Sequence, residues 1–185
     1  MICVKIEAAR RRQFMPQANW KSRDIAMHRH ILIPTDGSEL SQNAIEYGMA
    51  LAKAVNAKVT VLTVSAPFQT FAVESGMITG TPEEYRKRTV TLAAKYLNAA
   101  KEAAMAAGVI CETMHLEHDQ PYLAIIETAA QKSCDLIVMA SHGRRGISAV
   151  VLGSETVKVL THSAIPVLVV RAPHRGFFAP LASLT

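Results

Sequence analysis

The sequence predicts a single α/β domain built as a doubly wound parallel sheet with helices on both faces. From His30 onward, five short runs of apolar and β-branched residues alternate strictly with four segments of helical periodicity. Glycine, proline or a capping residue separates most of these segments, a pattern typical of consecutive βαβ units. Half of the 185 residues are hydrophobic and 19% are charged, so one domain with a real core is expected.

The first strand is predicted in the apolar run that ends at Pro34, and a helix follows from Ser38 or Leu40 to Asn56. Ser38 is the candidate N-cap, because a serine oxygen can accept a hydrogen bond from an amide of the first turn. Apolar residues at helical spacing predict the buried face of this helix: Leu40, Ala44, Tyr47, Leu51 and Val55. The next strand is predicted over residues 58–65, which are rich in β-branched side chains.

The second half of the chain opens with a clear helix start. Thr81 and Glu84 have the spacing of a capping box, and Pro82 stands at the first helical position. This helix is predicted to run to Ala107 and to end at Gly108. The remaining elements are predicted as a strand at 109–116, a helix at 121–132, a strand at 135–140, a helix at 154–163 and a strand at 166–171.

The positive charge is concentrated at the amino end. The net charge is +5, yet residues 1–26 hold six Lys or Arg against two acidic residues, so the rest of the chain is nearly neutral. We expect residues 1–28 to be a basic, disordered leader, 29–172 to be the α/β domain and 173–185 to be a tail. A translation start at Met27 and a targeting or membrane-surface role are the alternatives for the leader. Nucleic-acid binding is disfavoured, because the body lacks a basic patch and an aromatic stacking pattern.

Cysteine use and hydropathy favour a cytoplasmic protein without a membrane partner. The three cysteines are odd in number, have no CxxC spacing and follow no secretion signal, so reduced thiols are expected. No apolar run approaches the roughly 20 residues of a membrane helix. Cys111, His115 and His118 do not all face one way on a strand, so no structural metal is expected there.

One loop has the composition of an anion site. In a doubly wound sheet a ligand lies beyond the carboxyl ends of the strands, and "ASHGRRGISAVVLGS", residues 140–154, follows the fourth strand. Gly143 and Gly153 let main-chain amides approach a ligand, and Ser154 opens a helix whose amides and dipole favour an anion. A phosphate chain would satisfy these groups together. The alternative is that the glycines only make a turn.

Two common phosphate motifs do not fit this loop. The P-loop template requires glycine and lysine where the chain has Ser148 and Ala149. The GxGxxG fingerprint fails because position 141 is serine. Spacing alone therefore leaves both the phosphate site and the simple turn open.

Two longer stretches resemble the universal stress protein family: "ILIPTDGSELSQNAIEYGMALA" and "DLIVMASHGRRGISAVVLGSETVKVLTHSAIPVLVVR". The order of elements between them agrees over residues 29–171. The resemblance implies a five-stranded parallel sheet in the order 3-2-1-4-5 and, from the ATP-binding members, a G-x2-G-x9-G-[S/T] signature after the fourth strand. Here Ala140 stands at the first glycine, followed by Gly143 and Gly153-Ser154. The added methyl group either crowds a nucleotide or is accommodated, and we expect accommodation; the family also has members without nucleotide.

The resemblance implies that an adenine nucleotide, ATP foremost and with Mg²⁺ as its companion, binds along this edge. Asp36 would lie at the adenosine or its Mg²⁺, Val64 would meet the adenine through its main chain, and Met139 would pack on the base. The implied nucleotide-binding residues are Pro34, Thr35, Asp36, Val64, Met139, Ala140, Ser141, His142, Gly143, Gly153, Ser154 and Glu155. From the residues alone, Asp36 has a second interpretation, as an acceptor for the amides of its own turn.

The sequence favours a sensor or regulatory module of the stress response, with slow ATP hydrolysis at most. Hydrolysis needs a base on the attacking water and groups that neutralise the charge of the leaving phosphoryl group. His142 is the candidate base, but nothing in the sequence orients it, and a role in binding is the favoured interpretation. Asp36 could help hold Mg²⁺, but no second carboxylate is placed by a recognisable motif.

The last strand predicts a homodimer. Its apolar residues would leave an unpaired edge if the strand ends the sheet: Val167, Leu168, Val169 and Val170. Pairing of the same strand from two subunits about a two-fold axis would cover that edge, as in dimers of the family that this chain resembles. The alternative function is a homodimeric stress protein that acts through partner contacts without nucleotide.

Overall fold

The computed structural model describes residues 28–68, 81–141 and 152–171. Residues 1–27 of the predicted leader and the whole predicted tail, together with His142 and Gly143, lie outside the described residues. Five strands and four helices alternate along the chain: β1 His30–Pro34, α1 Glu39–Val55, β2 Lys58–Ser65, α2 Pro82–Ala107, β3 Cys111–Glu117, α3 Pro121–Gln131, β4 Leu136–Ala140, α4 Ser154–His162 and β5 Val167–Val170. The strands are parallel in the order β3-β2-β1-β4-β5, which confirms the predicted fold class and strand order. Among the described helices, none is both long and apolar enough to cross a membrane.

The sheet separates two hydrophobic cores. Successive strand residues point to opposite faces, so alternate residues of each strand enter different cores. The first core joins the sheet to α1 and α2 through Ile31, Ile33, Ile45, Met49, Val61, Leu97 and Val138. The second core joins the sheet to α3 and α4 through Leu32, Leu62, Ile125, Ile137, Met139 and Val159.

Helix α1 buries part of the predicted face, since Ala44 is buried and Leu51 and Val55 pack against the first core. Tyr47, expected in the core, is 52% exposed. The residues that α1 buries are mostly small: Ser41, Ala44, Ile45, Gly48, Met49 and Ala52. A methyl group built on Gly48 would overlap the Ile33 side chain, so the helix lies close to the sheet at this point. The prediction followed the large apolar residues, whereas close approach to the sheet selects the small ones.

Both ends of α2 follow the predicted signals. The Thr81 hydroxyl accepts the Glu84 amide, and the Glu84 carboxylate accepts the Thr81 amide, which completes the capping box. Gly108 ends the helix in the left-handed region, with φ at 71°. The next strand starts at Cys111 and not at Val109 as predicted, because the amides of Gly108 and Val109 bond to carbonyls in the last turn of α2.

Candidate functional site

The turn between β1 and α1 is fixed by its own side chains. Asp36 Oδ1 accepts the amide of Ser38 at 3.0 Å, and Thr35 Oγ1 accepts the amide of Gly37 at 3.2 Å. The oxygens of Thr35 and Ser41 lie 3.0 Å apart, and the Ser41 hydroxyl donates to the Ser38 carbonyl at 2.9 Å. Gly37 has φ at +77°, a conformation that favours glycine. Asp36 therefore accepts an amide of its own turn, as its second interpretation predicted. Its contact with adenosine or Mg²⁺ stays a prediction.

Strand pairing brings residues of three strands to one edge of the sheet. β1 lies between β2 and β4, and all three run in the same direction. Pro34, Val64 and Met139, at or next to the carboxyl ends of these strands, therefore share that edge. Met139 belongs to the second core, and Val64 packs against the same core. The strand order reverses direction between β1 and β4, which is where doubly wound sheets form a ligand crevice.

Ala140 ends β4 with its methyl group on the opposite face from Met139. Leu136 and Val138 belong to the first core, and alternation places Ala140 on their face. The residue is 6% exposed. The methyl group is therefore directed towards α1, away from the face that Val64 and Met139 share.

Three hydrogen bonds surround the junction of β4 and α4. The Gly153 amide donates to the Ser141 carbonyl at 2.8 Å, and the Ser141 amide donates to the Val170 carbonyl at 2.9 Å. The buried hydroxyl of Thr156 donates to the Ala140 carbonyl at 3.0 Å. Gly153 has φ at −63° and ψ at 150°, which any residue adopts. Its amide therefore has an acceptor within the protein, and the expected role of Gly153 in holding a phosphate stays a prediction.

The first turn of α4 nevertheless presents unpaired amides. Gly153 is the N-cap and has no side chain to accept them. The amides of Ser154, Glu155 and Thr156 find no acceptor within the part of the chain that the structure describes. Unpaired amides and the positive end of the helix dipole favour an anion at such a position. The predicted residues Ser154 and Glu155 lie in this first turn, and their role in holding a phosphate chain stays a prediction.

The Glu155 side chain accepts a hydrogen bond from the start of the neighbouring helix, α3. The N-cap of α3, Gln120, makes no side-chain capping bond. Glu155 Oε2 accepts the amide of Tyr122 at 2.9 Å, and Glu155 Oε1 accepts a bond from Lys158 Nζ at 2.8 Å. This hydrogen bond and the charge of Glu155 raise the pKa of Lys158. The carboxylate is thus held by α3 and Lys158, while the Glu155 amide stays at the start of α4.

The sequence did not reveal two residues that shape the site. Thr156 ties α4 to β4, but a threonine in a first helical turn carries no distinctive pattern. Tyr96 of α2 packs against Gly37, which lies 59 residues earlier in the chain. Both contacts depend on tertiary structure, which no local spacing encodes.

Histidines near this edge make ordinary hydrogen bonds. Ser65, the last residue of β2, has its oxygen 2.9 Å from His115 Nε2, and His118 Nδ1 accepts the amide of Gln120. Across residues 28–68, 81–141 and 152–171, no group of three or more His, Cys, Asp or Glu side chains is arranged to hold a metal ion.

Known proteins match this chain over the described domain. A family model described as the universal stress protein family matches residues 27–171. Universal stress protein YxiE of Bacillus subtilis is 34% identical over 152 residues, which cover 78% of this chain and 100% of that protein. The solved structure of hypothetical protein MJ0577 has a TM-score of 0.65 and 27% identity, covering 79% of this chain and 97% of its own. A universal stress protein crystallised with cAMP has a TM-score of 0.55 and 26% identity, covering 78% and 97% respectively.

Proposed function

Because this chain belongs to the universal stress protein family, we propose that it binds an adenine nucleotide and acts as a sensor or regulatory module of the stress response. One observation carries the proposal: three amides at the start of α4 lack acceptors among the described residues, just beyond the end of β4. The relative crystallised with cAMP, at 26% identity, supports the adenine part. ATP is the nucleotide we propose, because a multiply charged phosphate chain fits several amides better than a cyclic monophosphate does.

In this proposal the nucleotide lies across the carboxyl ends of β1, β2 and β4. Val64 and Met139 share the second core and would contact the base. Asp36, fixed by the Ser38 amide, would contact the adenosine or its Mg²⁺. The phosphates would extend to the amides of Ser154 and Glu155, and His142 and Gly143 would approach from the loop between β4 and α4.

We propose binding with slow hydrolysis at most. A hydrolase needs a base free to take a proton from water. The two carboxylates placed near the edge, Asp36 and Glu155, each accept a main-chain amide at the start of a turn or helix. These bonds support a structural role for both side chains. In this proposal the ligand is held by main-chain amides at the start of α4, and neither carboxylate acts as a base.

The test identifies what the protein carries and what stabilises it. Protein purified without added nucleotide is denatured, and the released small molecules are identified by mass spectrometry. Thermal melting is then measured with ATP, AMP or buffer, each with and without Mg²⁺. We expect released adenylate and a higher Tm with ATP, because a ligand bound only by the folded state stabilises it. The absence of both released adenylate and a Tm shift at millimolar ATP would overturn the proposal.

A second candidate function, partner contact by a nucleotide-independent homodimer, is supported by the exposed apolar surface at β5. This strand is at the edge of the sheet. On the adjacent α4, Val157 and Leu160 are 44% and 41% exposed. We propose a homodimer through β5 under either function.

The unpaired thiols of Cys111 and Cys134 support the proposal of a reducing compartment, the cytoplasm.

A further inference from the structure

The ring of Tyr96, in the middle of α2, lies against Gly37, next to Asp36. A methyl group built on Gly37 would overlap the Tyr96 ring atoms Cδ1, Cε1 and Cζ. The edge of the ring therefore occupies the space that a side chain at position 37 would need. Gly37 is required here for two reasons, its positive φ and this contact.

Tyr96 lies in a stretch of α2 that packs into the core. Ala93, Leu97 and Ala100 surround Tyr96 along the helix and are buried in the described fold. The small side chains at 93 and 100 bring the helix close to its neighbours. Tyr96, itself half-buried, is thus carried on a firmly packed helix.

The turn of Asp36 and Gly37 is held by hydrogen bonds and by its contact with Tyr96. The Thr35 amide bonds to the Leu62 carbonyl at 2.8 Å and holds the start of the turn to β2. Asp36 and Gly37 follow this bond at the end of the strand. Their own hydrogen bonds fix the shape of the turn, whereas the contact with Tyr96 fixes where the turn lies relative to α2.

We propose that Tyr96 is a positioning residue whose ring holds the turn of Asp36 and Gly37 in place and thereby sets the affinity of the site for the nucleotide. This inference rests on the proposed function, because the position of the turn affects binding only if the ligand meets Asp36. Binding groups need to be held within about 0.5 Å of their productive positions. Loss of the ring should therefore lower the affinity for the nucleotide. The contacts with Gly37 come from ring carbons, so a phenylalanine ring would keep these contacts.

The experiment compares Tyr96→Leu, Tyr96→Phe and Leu97→Val in the full chain. Leu97→Val removes one methylene group from the next residue of the same helix, which is buried in the first core, and so controls for a general loss of stability. The dissociation constant of ATP is measured by titration calorimetry. Hydrogen exchange of the Ser38 amide, which bonds to Asp36, is measured by NMR without nucleotide.

We expect Tyr96→Leu to weaken ATP binding about tenfold and to speed exchange of the Ser38 amide by a similar factor. Leu97→Val should leave both quantities within about twofold, and Tyr96→Phe, which keeps the ring carbons, should stay nearer to the wild type than Tyr96→Leu does. Unchanged exchange in Tyr96→Leu, or an equal loss of ATP binding in Leu97→Val, would overturn the inference. If the wild-type protein binds no adenine nucleotide, the proposed function fails and the effect of Tyr96 on affinity fails with it. The exchange rates then still decide whether the ring holds the turn.

Discussion

The main-chain amide of Gly153 donates a hydrogen bond to the carbonyl of Ser141, 2.8 Å away. This bond joins the end of β4 to the start of α4 across the intervening loop. It also gives the Gly153 amide an acceptor within the protein. We therefore expect the proposed anion site to begin at the amide of Ser154.

Gly153→Asp should raise stability and weaken ATP binding. An aspartate at the N-cap accepts amides of the first turn, which Gly153 leaves unpaired, and it stabilises the helix by a few tenths of a kcal/mol relative to glycine. The same carboxylate would occupy the proposed phosphate site and repel the phosphates, so we expect at least about a tenfold loss of affinity. Urea unfolding and titration calorimetry measure the two effects.

Gly153→Ala is the matched control. The backbone at this position has φ at −63°, so alanine fits it, and its methyl group accepts no hydrogen bond. ATP binding should stay within about threefold of the wild type. An equal loss of binding in the alanine and aspartate variants would contradict the assignment of the helix amides.

Ala140→Gly should leave ATP affinity within about twofold and reduce stability by about 1 kcal/mol. The methyl group of Ala140 is buried on the face of Leu136 and Val138, away from Val64 and Met139. Glycine would remove that packing and loosen the strand without opening the proposed site. Calorimetry and urea unfolding on the same preparations provide the comparison. A glycine variant that binds ATP ten times more tightly would show that the methyl group crowds the ligand.

The start of α2 and both ends of β2 were predictable because their signals are local. The capping box of Thr81 and Glu84 lies within one helical turn, and the β-branched run of Lys58–Ser65 matches β2 along its whole length. On the predicted buried face of α1, Tyr47 was wrong, because it fits the spacing of the large apolar residues but is exposed, while Gly48 makes the close contact. A helix selects its buried face by fit to the sheet, which periodicity alone does not contain.

The candidate site was predictable in outline but not in its hydrogen bonds. The alternation of strands and helices placed Asp36, Val64 and Met139 at one edge, and the strand order confirms that neighbourhood. The hydrogen bond that commits the Gly153 amide, and the hydroxyl of Thr156 on the Ala140 carbonyl, depend on how α4 meets β4. Such contacts arise only when the chain has folded.

At pH values below about 6.5, the free energy of unfolding should decrease because of His30. This residue is 4% exposed. Nδ1 donates to the Lys132 carbonyl at 2.9 Å, which leaves Nε2 to accept the Thr60 hydroxyl at 2.8 Å, so both nitrogens are matched in the neutral form. Burial, assisted by the charge of Lys58, lowers the pKa of His30 in the folded protein. The unfolded chain then binds the proton more readily. The stabilisation is complete above the unfolded pKa and is lost as the pH falls from there towards the folded pKa.

Urea unfolding at about pH 7.5 and 5.5 measures this effect in the wild type and in His30→Gln. The variant lacks the titrating group, so its free energy of unfolding should change less between the two pH values. Carboxylates distant from His30 contribute equally to both proteins and cancel in the comparison. An identical pH dependence in wild type and variant would refute the role of His30.

Val169→Lys should convert the proposed dimer into monomers. Leu168 and Val170 pack on the first core and Val167 packs on the second, whereas Val169 belongs to neither. A lysine there should disturb the strand edge more than the core, since a charge on an edge strand opposes pairing with another chain. Light scattering after size-exclusion chromatography gives the mass. Val90→Lys is the control, because Val90 is exposed on α2 and lies away from β5. A wild-type monomer, or a dimer that survives Val169→Lys, would eliminate the β5 interface.

Titration calorimetry of ATP with Mg²⁺ into the wild-type protein, freed of bound nucleotide, decides whether the first turn of α4 holds an anion. We expect saturable binding with one ATP per chain, which is lost in Gly153→Asp and kept in Gly153→Ala. No heat of binding at millimolar ATP, or undiminished binding in Gly153→Asp, would contradict an anion site at the start of α4.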